Sequence, residues 1–94
     1  MLTYKSSYKT AEGVVLGTVL DFPGTIAYGE TLDVARRSLA SALRDMAETN
    51  LLAGEALPLP DASLNDPDAD LEEPIYLILQ AGQHLATTIE TAAS

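Results

Sequence analysis

Acidic side chains supply most of the chemistry this chain could offer. Asp66, Asp68, Asp70 and Glu72 alternate with Pro67, Ala69 and Leu71, a spacing that superficially matches the opening of a calcium-binding loop. The match fails on content: the glycine of the sharp turn and a bidentate Glu at the right distance are missing, and Pro67 interrupts the run. The stretch reads as a solvated loop. A two-metal nuclease would need several carboxylates converging on one point, and Asp21, Glu30 and Asp33 are the candidates. Asp21 and Asp33 fall at a turn and a helix start, where capping and solubility account for them. His84, the one histidine, has no carboxylate, Ser or Cys partner at a telling spacing, so no triad is assembled. Arg36, Arg37 and Arg44 form too thin a basic patch for phosphates and are expected to pair with Asp33, Asp45 and Glu48 on the same helix. No catalytic, metal-binding or cofactor-binding residue is assigned, and the chain reads as a non-enzyme.

What remains is a surface. Five Lys/Arg stand against fourteen Asp/Glu, a formal net charge of −9. Nucleic acid binding depends on cations that neutralise phosphates, so this surface argues against it, and an anionic membrane leaflet would also repel it. The excess charge serves solubility in one reading. In a sharper one it steers a basic protein partner into contact. Tyr4, Tyr8 and Tyr28 are of the type enriched at interfaces; they are interface residues if they reach an open sheet face, and ordinary half-buried strand residues if they do not.

The elements that must position these groups follow from pattern. Ninety-four residues make one domain, small enough that oligomerisation would add to its stability. The apolar fraction of 47% is that of a folded chain, and four Tyr, one Phe and no Trp leave the core to Leu, Val, Ile and Ala. No apolar run approaches the roughly 18–20 residues of a membrane span. The start, Met1-Leu2-Thr3-Tyr4-Lys5, lacks a signal pattern. The absence of cysteine removes disulfides. Cytoplasmic residence is the expectation.

Residues 2–9 alternate, with Leu2, Tyr4, Ser6 and Tyr8 on one side and Thr3, Lys5, Ser7 and Lys9 on a wet one, which predicts a half-buried strand. A turn through Gly13 leads to a more apolar central strand at 14–20, in which Gly17 marks a bulge or a close backbone approach. Asp21-Phe22-Pro23-Gly24 breaks that strand, and Thr25–Gly29 is a short third one. Thr31 caps a helix that runs to about Ala53, with Leu32, Ala35, Leu39, Ala42, Leu43 and Met46 as its apolar stripe and Gly54 at its end. Pro58 and Pro60 keep the next residues extended. Asp61–Glu73 is expected to be a mobile acidic loop, and Pro74–Leu79 the fourth strand. The fold class is α+β, in the order β-β-β-α-β: an antiparallel three-stranded meander plus a fourth strand, with one long helix packed on one face.

Four features in order carry a resemblance: Phe22-Pro23-Gly24, then Gly29-Glu30-Thr31-Leu32-Asp33-Val34-Ala35, an Ala/Leu-rich helix, and Leu57-Pro58-Leu59-Pro60. Together they resemble the HicB-like antitoxin family of type II toxin–antitoxin systems, over residues 1–80, with 81–94 as a short polar tail. The resemblance implies a truncated RNase H-like fold. It also implies a small basic, RNA-cleaving, HicA-like toxin as partner, neutralised by occlusion. Two departures stand out. Many members carry a C-terminal DNA-binding segment, whereas Gln80–Ser94 here has no Lys or Arg, which suggests loss of DNA binding. Val34 also replaces an acid often found there. The interface residues expected on this basis are Asp21, Phe22, Tyr28, Glu30, Asp66, Asp68 and Asp70. The competing expectation is a solitary, oligomeric HicB-like domain with a structural or ligand-sensing role. An exposed sheet edge favours a dimer or larger homo-oligomer in either case.

Overall fold

The computed structural model describes residues 2–78. Four strands and one helix follow one another: β1 (Leu2–Ala11), β2 (Val14–Val19), β3 (Ile26–Gly29), α1 (Leu32–Leu52) and β4 (Leu71–Leu77). The sheet is antiparallel throughout in the order β3-β2-β1-β4, so the N-terminal strand lies at its centre. This is the expected α+β arrangement. The tail assigned to 81–94, with His84, lies outside the described residues.

β1 and β2 form a hairpin closed by Glu12 at φ 55° and Gly13 at φ 79°, two left-handed residues whose twist suits a tight antiparallel turn. Gly17 is the close approach its place in the strand suggested. A methyl group there would meet Tyr8 Cε1 at 3.0 Å and Leu39 Cδ2 at 3.2 Å. Gly29 is tighter still, with space for a Cβ blocked by the Ala35 backbone nitrogen. The end of β3 thus lies directly on the first turn of α1.

The helix is bounded at both ends by its own chemistry. Thr31 Oγ1 accepts from the Val34 N–H at 3.2 Å. At the far end Gly54 N–H donates to Leu51 O and Glu55 N–H to Asn50 O, which satisfies carbonyls the last turn would otherwise leave orphaned. Ala35, Leu39, Leu43 and Ala47 have no exposed surface. They pack on Tyr4, Tyr8, Val15, Val19, Phe22, Ile75 and Leu77. The alternation in β1 is observed, with Tyr4 and Tyr8 facing the helix.

One expectation is corrected. The fourth strand begins at Leu71 rather than Pro74, so Glu72 and Glu73 belong to the sheet. Both acids are charge-paired there, Glu72 with Lys5 and Glu73 with Arg36, which removes the penalty that makes acids rare in strands.

Candidate functional site

Because β4 runs antiparallel to β1, the chain must travel the length of the sheet once more after α1. Residues 57–70 make that journey as a strap. Tyr4 OH donates to Pro58 O at 2.7 Å, Asp61 N–H to Asp21 Oδ2 at 2.9 Å, and Asp70 N–H to Tyr8 O at 2.9 Å. The strap therefore advances alongside β1, in the same direction, until β4 turns back.

Lys5 is the fastener. Its Nζ donates to Ala62 O at 3.0 Å and to Leu64 O at 2.8 Å, and lies 3.7 Å from Glu72 Oε1. Ser7 Oγ donates to Asp66 Oδ2 at 3.3 Å, and Thr10 N–H to Asp70 Oδ2 at 2.7 Å. On the side of β1 expected to be wet, Lys5 and Ser7 are covered by acidic chain instead, while Thr3 and Lys9 stay exposed. The loop read as mobile is pinned at each of these points.

Within the strap the carboxylates also shape the backbone. Asp66 Oδ1 accepts from Asp68 N–H, and Glu72 Oε2 accepts from Asp66 N–H. Asp61 accepts from both the backbone N–H and the hydroxyl of Ser63, and these bonds hold its carboxyl below the ordinary carboxylate range. Lys5 offsets Glu72, and Arg36 offsets Glu73 through Nε–Oε1 at 2.7 Å and Nη2–Oε2 at 3.0 Å. Asp61, Asp66, Asp68 and Asp70 have no paired cation among the described residues. The result is a fixed ridge of negative charge rather than a diffuse acidic coil.

Beside the ridge lies a groove of about 430 Å³, walled by Tyr4, Pro60, Ala62 and Pro74. Its polar groups are engaged: Asp21 Oδ1 accepts from Lys5 N–H at 2.9 Å, and the Lys5 ammonium belongs to the strap. No group of three or more His, Cys, Asp or Glu among the described residues is arranged to hold a metal. No described helix is long and apolar enough to cross a membrane.

The residues singled out from sequence separate into three places. Asp66, Asp68 and Asp70 come together on the strap. Asp21 and Phe22 do not join them as a surface. Phe22 is only 2% exposed and packs edge-to-face on Tyr4 at 5.5 Å, and Asp21, 5% exposed, ties two backbone N–H groups. Both are structural, because the Phe-Pro-Gly turn folds inward over the end of the core. Tyr28 is 60% exposed on β3, with Glu30 exposed just beyond it, at the opposite edge of the sheet from β4. Arg36 does meet Asp33, at 3.4 Å, but its closer partner is Glu73. No ion pair joins Arg44 to Asp45 or Glu48 among the described residues. Sequence reasoning missed the role of Lys5. Its one signal was a cation in the middle of β1, one of two with Lys9, in a chain with a long acidic stretch and few bases to pair with it.

No protein-family model matches the chain, and no curated protein does. Solved structures do. The fold defined above is shared with the N-terminal domain of the Burkholderia pseudomallei antitoxin HicB, which superposes with a TM-score of 0.69 at 22% identity, covering 83% of this chain and 100% of that one. The full-length Burkholderia pseudomallei antitoxin HicB gives 0.70 at 23% identity, covering 88% of this chain and 65% of its own length. The chain is similar to these proteins in fold, and spans about two thirds of the full-length antitoxin.

Proposed function

We propose that this chain acts as an antitoxin-like protein that binds a small basic partner and neutralises it by occlusion. The observation that carries this reading is the rigid acidic strap. Of its four carboxylates without paired cations, Asp61, Asp66 and Asp70 accept hydrogen bonds from within the domain, and Lys5 ties down the backbone between them, so little ordering entropy remains to be lost when a basic surface docks. Complementary charge speeds encounter and selects the partner, and the bulk of the domain blocks the covered surface. The shared fold with HicB supports the same reading. In it the partner is a HicA-like, RNA-cleaving toxin, the setting is the cytoplasm, and the chain contributes no chemistry and no DNA contact of its own.

The test is co-expression with small basic proteins encoded beside the gene, followed by purification at rising salt. Complex formation in fixed stoichiometry, weakened when Asp66, Asp68 and Asp70 are all changed to Asn, bears the reading out. A complex indifferent to both salt and the triple variant would sink the electrostatic mechanism. The second reading, a solitary oligomer, is favoured by the exposed Ile26 and Tyr28 on an edge strand. It would gain if no basic neighbour binds.

A further inference from the structure

The two edges of the sheet are finished differently. On β4, the Lys5 carbonyl points the other way, to Leu20 N–H, so the pair Lys5–Pro74 exchanges no ladder bonds and Pro74 faces its ring nitrogen outward. A proline there costs the ladder nothing and removes a donor from the edge, while Glu72 adds charge; both are recognised protections against strand pairing. β3 has neither device. Its residues Ile26-Ala27-Tyr28-Gly29 include no proline and no charge. Thr25 O accepts from Val19 N–H on β2, so by alternation the main-chain groups of Ile26 and Tyr28 point outward. Among the described residues nothing pairs with them. Their side chains, 51% and 60% exposed, extend an apolar row from Val14 and Leu16 on the sheet face away from α1.

We propose that β3 pairs antiparallel with β3 of a second copy of this chain, centred on Ala27, to make one continuous sheet across two molecules. This register sets Ile26 of each copy opposite Tyr28 of the other, and each such pair exchanges both of its backbone hydrogen bonds. It also keeps side-chain faces in phase, so the apolar rows join. Charge selects the occupant and the register together. In a chain of net charge −9, β3 is a stretch where two copies meet without facing carboxylates, because Glu30 falls opposite Gly24. A contact this short implies a dimer that dissociates on dilution. It leaves the acidic strap, at the opposite edge, uncovered on both copies, and holds or fails independently of any basic partner.

Sedimentation equilibrium of the full chain over a wide concentration range tests the pairing. A monomer–dimer equilibrium is expected, with hydrogen exchange at the Ile26 and Tyr28 amides slowing as concentration rises. Ile26→Lys and Tyr28→Pro should each weaken association by about tenfold or more, and Tyr76→Lys on the protected edge should not. Far-UV circular dichroism confirms that the strand survives the proline; Ile26→Lys alters one exposed side chain and decides the matter if it does not. A strict monomer, a dimer surviving both β3 variants, or a dimer lost in Tyr76→Lys would each overturn the proposal. So would amides at Ile26 and Tyr28 already protected in the monomer, since the edge would then be paired within one chain.

Discussion

Asp21 and Asp61 are joined through a backbone bond: the buried Asp21 carboxylate accepts the Asp61 N–H with one oxygen and the Lys5 N–H with the other, both at 2.9 Å. A turn residue thereby couples the central strand to the start of the strap. Asp21→Ala leaves two backbone donors without their acceptor and is expected to lower unfolding free energy by about 2–4 kcal/mol. Asp21→Asn keeps one acceptor oxygen and should lose about half as much. Urea denaturation of the three proteins gives the order.

Lys5 is expected to control the strap without controlling the core. Its ammonium contacts lie on residues 62–72, and its stem lies outside the packed side of β1. In Lys5→Met, hydrogen exchange and proteolysis across residues 61–66 should accelerate while the amides of α1 keep their protection. Equal acceleration in both regions would show that the strap and core open as one unit.

The two tight glycines should differ in sensitivity. At Gly17 a methyl group presses on the Tyr8 ring and the Leu39 side chain, which can shift by tenths of an ångström, and Gly17→Ala is expected to cost about 1–3 kcal/mol. At Gly29 it meets the helix backbone, which has nowhere to go. Gly29→Ala should destabilise more than Gly17→Ala or prevent folding, as thermal melts of the pair will show.

Alkaline pH should unfold the domain through Tyr4 and Tyr8. Burial raises both phenols first of all; Asp21 adds to Tyr4 and Glu73 to Tyr8, while a bond with Ser6 pulls Tyr8 back in part. The folded state thus holds protons that the unfolded chain releases near pH 10. Stability is complete below that value and declines as pH rises through the raised folded values. Ultraviolet titration of phenolate should show a late phase coincident with loss of circular dichroism, reduced in Tyr4→Phe and Tyr8→Phe.

Local signals in the chain carried much of this architecture. Thr31, Gly54 and the Leu39–Leu43 spacing define α1 because a helix declares itself within a few residues. The alternation of Tyr4, Ser6 and Tyr8 sets the face of β1. The beginning of β4 was not legible, since Leu71-Glu72-Glu73 looks like acidic loop until Lys5 and Arg36 are brought to it from 67 and 37 positions away. Of the site, Asp66, Asp68 and Asp70 could be grouped by proximity in sequence. That Phe22 turns inward, and that the strap is fastened rather than free, depend on long-range contacts that no local pattern encodes.

The central place of β1 has a consequence in time. It leaves the ribosome ahead of the other three strands of its sheet, yet its partners in β4 run from Leu71 to Leu77, so one flank waits until about sixty further residues have been made. The β1–β2 hairpin and α1 rest on neighbouring residues and can form early; closure of the sheet cannot, and such distant pairings are the slow ones. During that interval the innermost strand of the finished protein is an open template for foreign chains. Arrival of β4 ends that exposure.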